Sequence, residues 1–101
     1  MRKSEALKQG KKRIKAFKNW CRGARNGDQV CAANALPLFD AFSYLDKATL
    51  KVTRGKYTSV IVLNDYFPQT QEHYKVRHKK AHQKVLQVYD KAIQLALAAG
   101  D

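Results

Sequence analysis

From Leu7 onward the apolar residues Leu7, Ile14, Phe17, Cys21 and Ala24 recur at steps of three, four and seven, the spacing that gathers side chains on one face of an α-helix. Ser4 followed by Glu5 supplies a helix start, so residues 1–25 are predicted to form an amphipathic helix. Asn26-Gly27-Asp28 reads as a stop and a restart, because Gly27 can take positive φ and Asp28 can cap the next helix. Residues 29–36 are Ala-rich and predict a short helix. Pro37 either kinks the chain or opens a further helix as its first residue, since it has no amide to donate there. Leu38, Phe39, Phe42 and Leu45 then continue a buried helical pattern to about Asp46.

Beyond this point the pattern changes from helical to extended. Residues 49–53 and 57–63 are rich in Val, Ile, Thr and Tyr and are joined by Arg54-Gly55-Lys56, the signature of a β-hairpin. The second run is the more hydrophobic and is expected to be the more buried. Asn64 to Pro68 reads as a turn, and Thr70 can cap a last helix running to Ala99 before Gly100. Val85, Leu86, Val88, Tyr89, Ala92, Ile93, Ala96 and Leu97 give that helix a wide apolar face, whereas residues 72–84 are polar. The face of the first helix needs a partner surface, and the last helix beside the hairpin offers one. The expected fold is therefore α+β, mainly α: one small domain over residues 1–101, with a basic helix (1–25), short helices (28–46), a β-hairpin (49–63) and a long C-terminal helix (70–99).

The chain has 101 residues, of which 45% are hydrophobic. This length suits one modest core and excludes a multidomain enzyme, and the composition is not that of a disordered chain. No apolar run approaches the roughly 20 residues of a membrane span, and no signal-peptide pattern opens the sequence. A soluble protein of the cytoplasm is expected, with no membrane partner. Its two cysteines, Cys21 and Cys31, fall on predicted apolar faces and read as small buried hydrophobes with free thiols.

Charge adds an acidic partner to this picture. The net charge is +12, and residues 1–25 hold ten Lys or Arg against Glu5 alone. Lys8, Lys11, Lys15, Lys18, Arg22 and Arg25 follow their own helical alternation, a stripe about 130° around the axis from the apolar face. Lys12 adds to it. Like charges at this spacing oppose helix formation by a few tenths of a kcal/mol per pair. A stripe kept for solubility normally has acids interspersed, and this one has none. A second basic segment, His73 to Lys84, contains Lys75, Arg77, Lys79, Lys80 and Lys84 and every histidine of the chain. Tyr74 lies among these cations, where it either stacks on an exposed base or packs inward as the first core-facing residue of the helix.

Other chemistry is sparsely represented. His78 and His82 share a helix face at a spacing that can chelate zinc, but the third ligand would have to come from Cys21, Cys31, His73 or a carboxylate, and the neighbouring cations repel a metal. Histidines among lysines are ordinarily solvated. There is no Gly-x-Ser-x-Gly, glycine-rich phosphate loop, Cys-x-x-Cys or His-Glu-x-x-His motif. No enzymatic activity, metal or cofactor is expected. Asn64-Asp65 reads as a turn whose side chains bond nearby amides, against a binding role.

Four pieces of the chain, in order, resemble a family of small bacterial and phage proteins of unassigned function: Trp20 with Gly23-Ala24, Cys31 to Leu36, Val60 to Asp65, and Lys84 to Ile93. The resemblance spans about residues 18–97 and implies a shared core and a prokaryotic, phage or mobile-element setting. It carries no activity. The basic first helix and the His73–Lys84 segment look like additions to that core.

These readings converge on a small basic protein that binds DNA or RNA, mostly through phosphates, with Lys8, Lys11, Lys12, Lys15, Lys18, Arg22, Arg25, Lys75, Arg77, Lys79, Lys80 and Lys84 as contacts and Tyr74 as a candidate for stacking if it does not pack inward. Lysines outnumber arginines among these positions, which favours backbone contact over bidentate reading of bases. The alternative is a phage-type inhibitor whose basic face docks on an acidic surface of a host defence or nucleic-acid-processing protein.

Overall fold

A computed structural model describes residues 2–69, 72–76 and 78–100. Helix α1 (Lys3–Gly23) buries Ala6, Leu7, Gly10, Ile14, Phe17 and Cys21, the predicted apolar face. It begins at Arg2 without a side-chain cap. After it come strand β1 (Gln29–Cys31), a 3-10 turn (Ala32–Ala35) and helix α2 (Leu36–Phe42), with Pro37 in its first turn as expected. The hairpin strands are β2 (Lys51–Arg54) and β3 (Tyr57–Val60), followed by a 3-10 turn (Leu63–Asp65), strand β4 (His73–Lys75) and helix α3 (Lys79–Ala99). This is the expected α+β, mainly helical domain, and its radius of gyration of 13.3 Å matches the ~13 Å of one folded unit of this length.

The two long helices run antiparallel. Lys3 Nζ donates to the Gly100 carbonyl at 3.1 Å, Lys18 pairs with Asp90 at 3.1 Å, and Lys79 Nζ donates to the Ala24 carbonyl at 2.9 Å. Leu7, Ile14, Phe17 and Cys21 join Val85, Tyr89, Ala92 and Ile93 in one core cluster, with Ala96 half-buried at its edge. Helix α2 packs across α1 where Gly10 lies, because the missing side chain lets the backbones approach: a Cβ on Gly10 would come within 2.7 Å of the Ala41 Cβ.

The last helix begins at Lys79 instead of at residue 70, and His73–Lys75 forms a strand. β4 pairs antiparallel with β1, setting Gln29 against Lys75, Val30 against Tyr74 and Cys31 against His73. Backbone bonds from Gly27 N to Val76 O, Val76 N to Asp28 O and Ala32 N to Glu72 O extend the ladder. The reason is that a polar segment has no apolar stripe to bury as a helix, whereas as a strand it buries Val76 and half-buries Tyr74. Residues 29–31 are accordingly strand and not helix. Asp28 accepts from the Arg25 amide at 2.8 Å instead of capping a helix, and Gly27 takes φ +97° as the turn requires. The expected cap at Thr70 lies outside the described residues.

The hairpin forms as predicted, with Gly55 at φ +57° in its turn and residues 51 to 54 paired with 60 to 57. Its second strand is nevertheless exposed throughout, Tyr57 at 80% and Val60 at 42%. Burial begins one residue later: Ile61 N donates to Leu50 O at 2.7 Å and the chain turns inward, carrying Ile61, Leu63 and Phe67 into the core. The hydrophobicity of the second run thus belongs to its exit from the sheet. Among the described residues no helix is long and apolar enough to cross a membrane.

Candidate functional site

The basic residues collect in two places. Along α1, Lys8, Lys11, Lys12 and Lys15 are exposed and, with Lys18, line a groove of about 470 Å³ against Asp90 and Gln94 of α3, with Ile14 beneath. Asp90 holds Lys18 at 3.1 Å and takes a second bond from Gln94 at 3.3 Å. Among the described residues Lys8, Lys11, Lys12 and Lys15 make no ion pair. Their positions follow from the helical period alone: the face opposite them is committed to the core, so their charges point outward. Arg22 and Arg25 are exposed beyond the groove, towards the C-terminal end of α1.

The second place is a cleft of about 870 Å³ between the end of the hairpin and the start of α3. One wall is Arg54, Asp65 and Tyr66; the other is Tyr74 and Lys75 of β4 with His78, Lys79, Lys80 and His82. Lys79 is tied at both ends, its amide to Asn26 Oδ1 and its Nζ to the Ala24 carbonyl, each at 2.9 Å. It thereby places a cation at the C-terminus of α1, where the helix dipole favours one. Lys84 lies outside the cleft and donates to the Thr53 carbonyl at 3.2 Å, bracing α3 against the hairpin. Arg77 falls outside the described residues.

Aromatic packing forms the inner side of the cleft. Phe67 sits 5.3 Å from Phe17, 4.9 Å from His82 and 6.5 Å from Tyr74, and Tyr66 meets His82 edge-on at 6.2 Å. Tyr74 therefore packs inward, from a strand and not from a helix. Its hydroxyl is enclosed without a hydrogen-bond partner among the described residues, and burial pushes its pKa above the usual phenol range, with Cys21 adding to the effect. His82 is only 8% exposed, unlike the solvated histidine expected from its lysine-rich neighbourhood. Burial, and then the nearby His78, hold its pKa below the usual imidazole range. Cys21 is buried and Cys31 partly so, both as free thiols; burial raises the Cys21 pKa and Lys79 opposes the rise.

No group of three or more His, Cys, Asp or Glu side chains with metal-binding geometry occurs among the described residues. His78, the residue preceding the first turn of α3, is exposed and His82 is buried, and both line the cleft without a third such side chain grouped with them among the described residues. Sequence reasoning missed Arg54, Tyr66 and His82 as cleft residues. Arg54 carried a signal, since a cation at a hairpin turn is held in solvent; His82 carried none, because its burial depends on Phe67. Comparison with protein-family models, curated proteins and solved structures finds no match to this chain.

Proposed function

We propose that this chain is a small nucleic-acid-binding protein that grips phosphates electrostatically, with little base-specific readout. The observation that carries the reading is the row Lys8, Lys11, Lys12 and Lys15: exposed, unpaired among the described residues, and gathered along one groove. Close-set cations without counter-charges repel one another, and a polyanion relieves that repulsion while releasing its own condensed counterions. Lys75, Lys80 and Arg54 add cations at the cleft. Lysines serve as mobile point charges on a phosphate backbone, not as bidentate readers of guanine.

The test is binding of duplex DNA, single-stranded DNA and RNA at two salt concentrations. Affinity is expected to fall with log salt by roughly 0.7 to 0.9 for each phosphate neutralised. Absence of binding to all three polymers at low salt overturns the reading and turns attention to an acidic protein surface as the partner.

A further inference from the structure

The cleft at the start of α3 has features that charge alone does not explain. A helix of 21 residues opens there, and its first amides face outward as those of any helix do. Asn26 satisfies the amide of Lys79, which leaves those of Lys80 and Ala81 for solvent or a ligand. The second observation is independent of the helix end. His82, more than nine-tenths buried at 8% exposure, lines the cleft, and its imidazole makes no hydrogen bond among the described residues. A neutral imidazole offers one donor and one acceptor, which a ligand in the cleft can meet. Tyr66, beside it at 6.2 Å, adds an aromatic ring to the same cleft. Lys75, Lys80 and Arg54 are exposed around it.

We infer that this cleft seats one nucleotide unit of a single strand, its phosphate at the open end of α3 near Lys75 and Lys80 and its base against Tyr66 with an edge toward His82. The inference rests on the nucleic-acid reading above and narrows it to unpaired strands, since a base inside a duplex cannot be inserted between two protein walls. The volume, about 870 Å³, lies in the range of roughly 300 to 1,000 Å³ that small-molecule sites occupy. Asp65, on the wall opposite α3, repels a phosphate and so favours the orientation that places the phosphate at the helix end. Its carboxylate can accept from a sugar hydroxyl or a base amino group. The mixture of one carboxylate, one buried imidazole and aromatic rings suits a nucleotide better than a bare anion.

The experiment titrates dAMP, deoxyadenosine and inorganic phosphate separately into the full chain at low salt. NMR follows the His82 ring and the Lys80 and Ala81 amides. Saturable shifts of all three with dAMP are expected, with deoxyadenosine and phosphate each at least about fivefold weaker. Lys80→Ala and Arg54→Ala, both exposed positions, should each weaken dAMP by up to about fivefold while leaving the melting temperature unchanged. Phosphate binding as tightly as dAMP overturns the inference in favour of a simple anion site. An unmoved His82 ring at saturating dAMP also overturns it, and polymer binding that persists in that case leaves the proposed function standing. Saturation by dAMP with no binding of any polymer supports the cleft as a nucleotide site and overturns the proposed function instead.

Discussion

Asn26 reaches across 53 positions of chain to accept the backbone N–H of Lys79 on its side-chain oxygen at 2.9 Å. The residue before the first turn of α3, His78, contributes no side-chain cap of its own. The Asn26 bond, together with the one from Lys79 Nζ to the Ala24 carbonyl, fixes the start of α3 to the segment after α1. Removing it in Asn26→Ala should cost about 1 kcal/mol, the usual loss for a helix cap. Asn26→Asp keeps the acceptor and adds a negative charge at a helix N-terminus, so it should melt at or above the parent. Chemical denaturation of the two variants checks both signs.

Gly10→Ala should destabilise, the reverse of the gain of about 1 kcal/mol that this change brings in an exposed helix. The new Cβ would lie 2.7 Å from the Ala41 Cβ and 3.3 Å from Ile93 Cδ1. The Ala41 Cβ is fixed to the backbone of another helix and cannot swing aside, so α1 and α2 must separate. Overpacking of this kind costs roughly 1 to 3 kcal/mol, which a denaturant midpoint resolves.

Phe17→Ala should cost about 3 to 5 kcal/mol, much of a total stability of roughly 5 to 15. Phe17 is 4% exposed and its ring lies 5.3 Å from Phe67, which in turn supports His82 and Tyr74. The variant is expected to melt far below the parent and to lose binding through unfolding. A parent-like melt would detach α1 from the core.

Lys11→Glu combined with Lys15→Glu should leave folding within about 0.5 kcal/mol, because both side chains are exposed. The salt dependence of nucleic-acid binding should become shallower by roughly 0.7 to 0.9 for each phosphate contact removed. Thermal melts and salt titrations on the same sample separate the two effects.

Stability should decline as pH falls below about 6.5, the ordinary imidazole value, because burial lowers the pKa of His82 in the folded state. Between that value and the lower folded pKa the unfolded chain binds the extra proton, so acidification favours unfolding; below the folded pKa this contribution is gone and no longer changes. His82→Phe preserves a ring against Phe67 and should flatten this limb of a melting-temperature profile.

What the sequence determined by itself is local. Helix α1 was legible because Leu7, Ile14, Phe17 and Cys21 keep one period along its length, and the hairpin because Gly55 supplies the one left-handed residue its turn requires. The apolar face of α3 and the helix start at Pro37 were legible for the same reason: each rests on neighbours within a few positions. The outward row of lysines followed from the committed inner face of α1. The pairing of Gln29–Cys31 with His73–Lys75, two strands of three residues whose partners are distant in the chain, arises from long-range contact alone. Strands that short carry no readable alternation, and their stability comes from a ladder that exists only when both segments meet. That pairing shortens α3 to begin at Lys79, sets its open end against Arg54 and Tyr66, and buries His82 on Phe67. The stripe on α1 is therefore a property of sequence period, while the cleft is a property of non-local strand pairing.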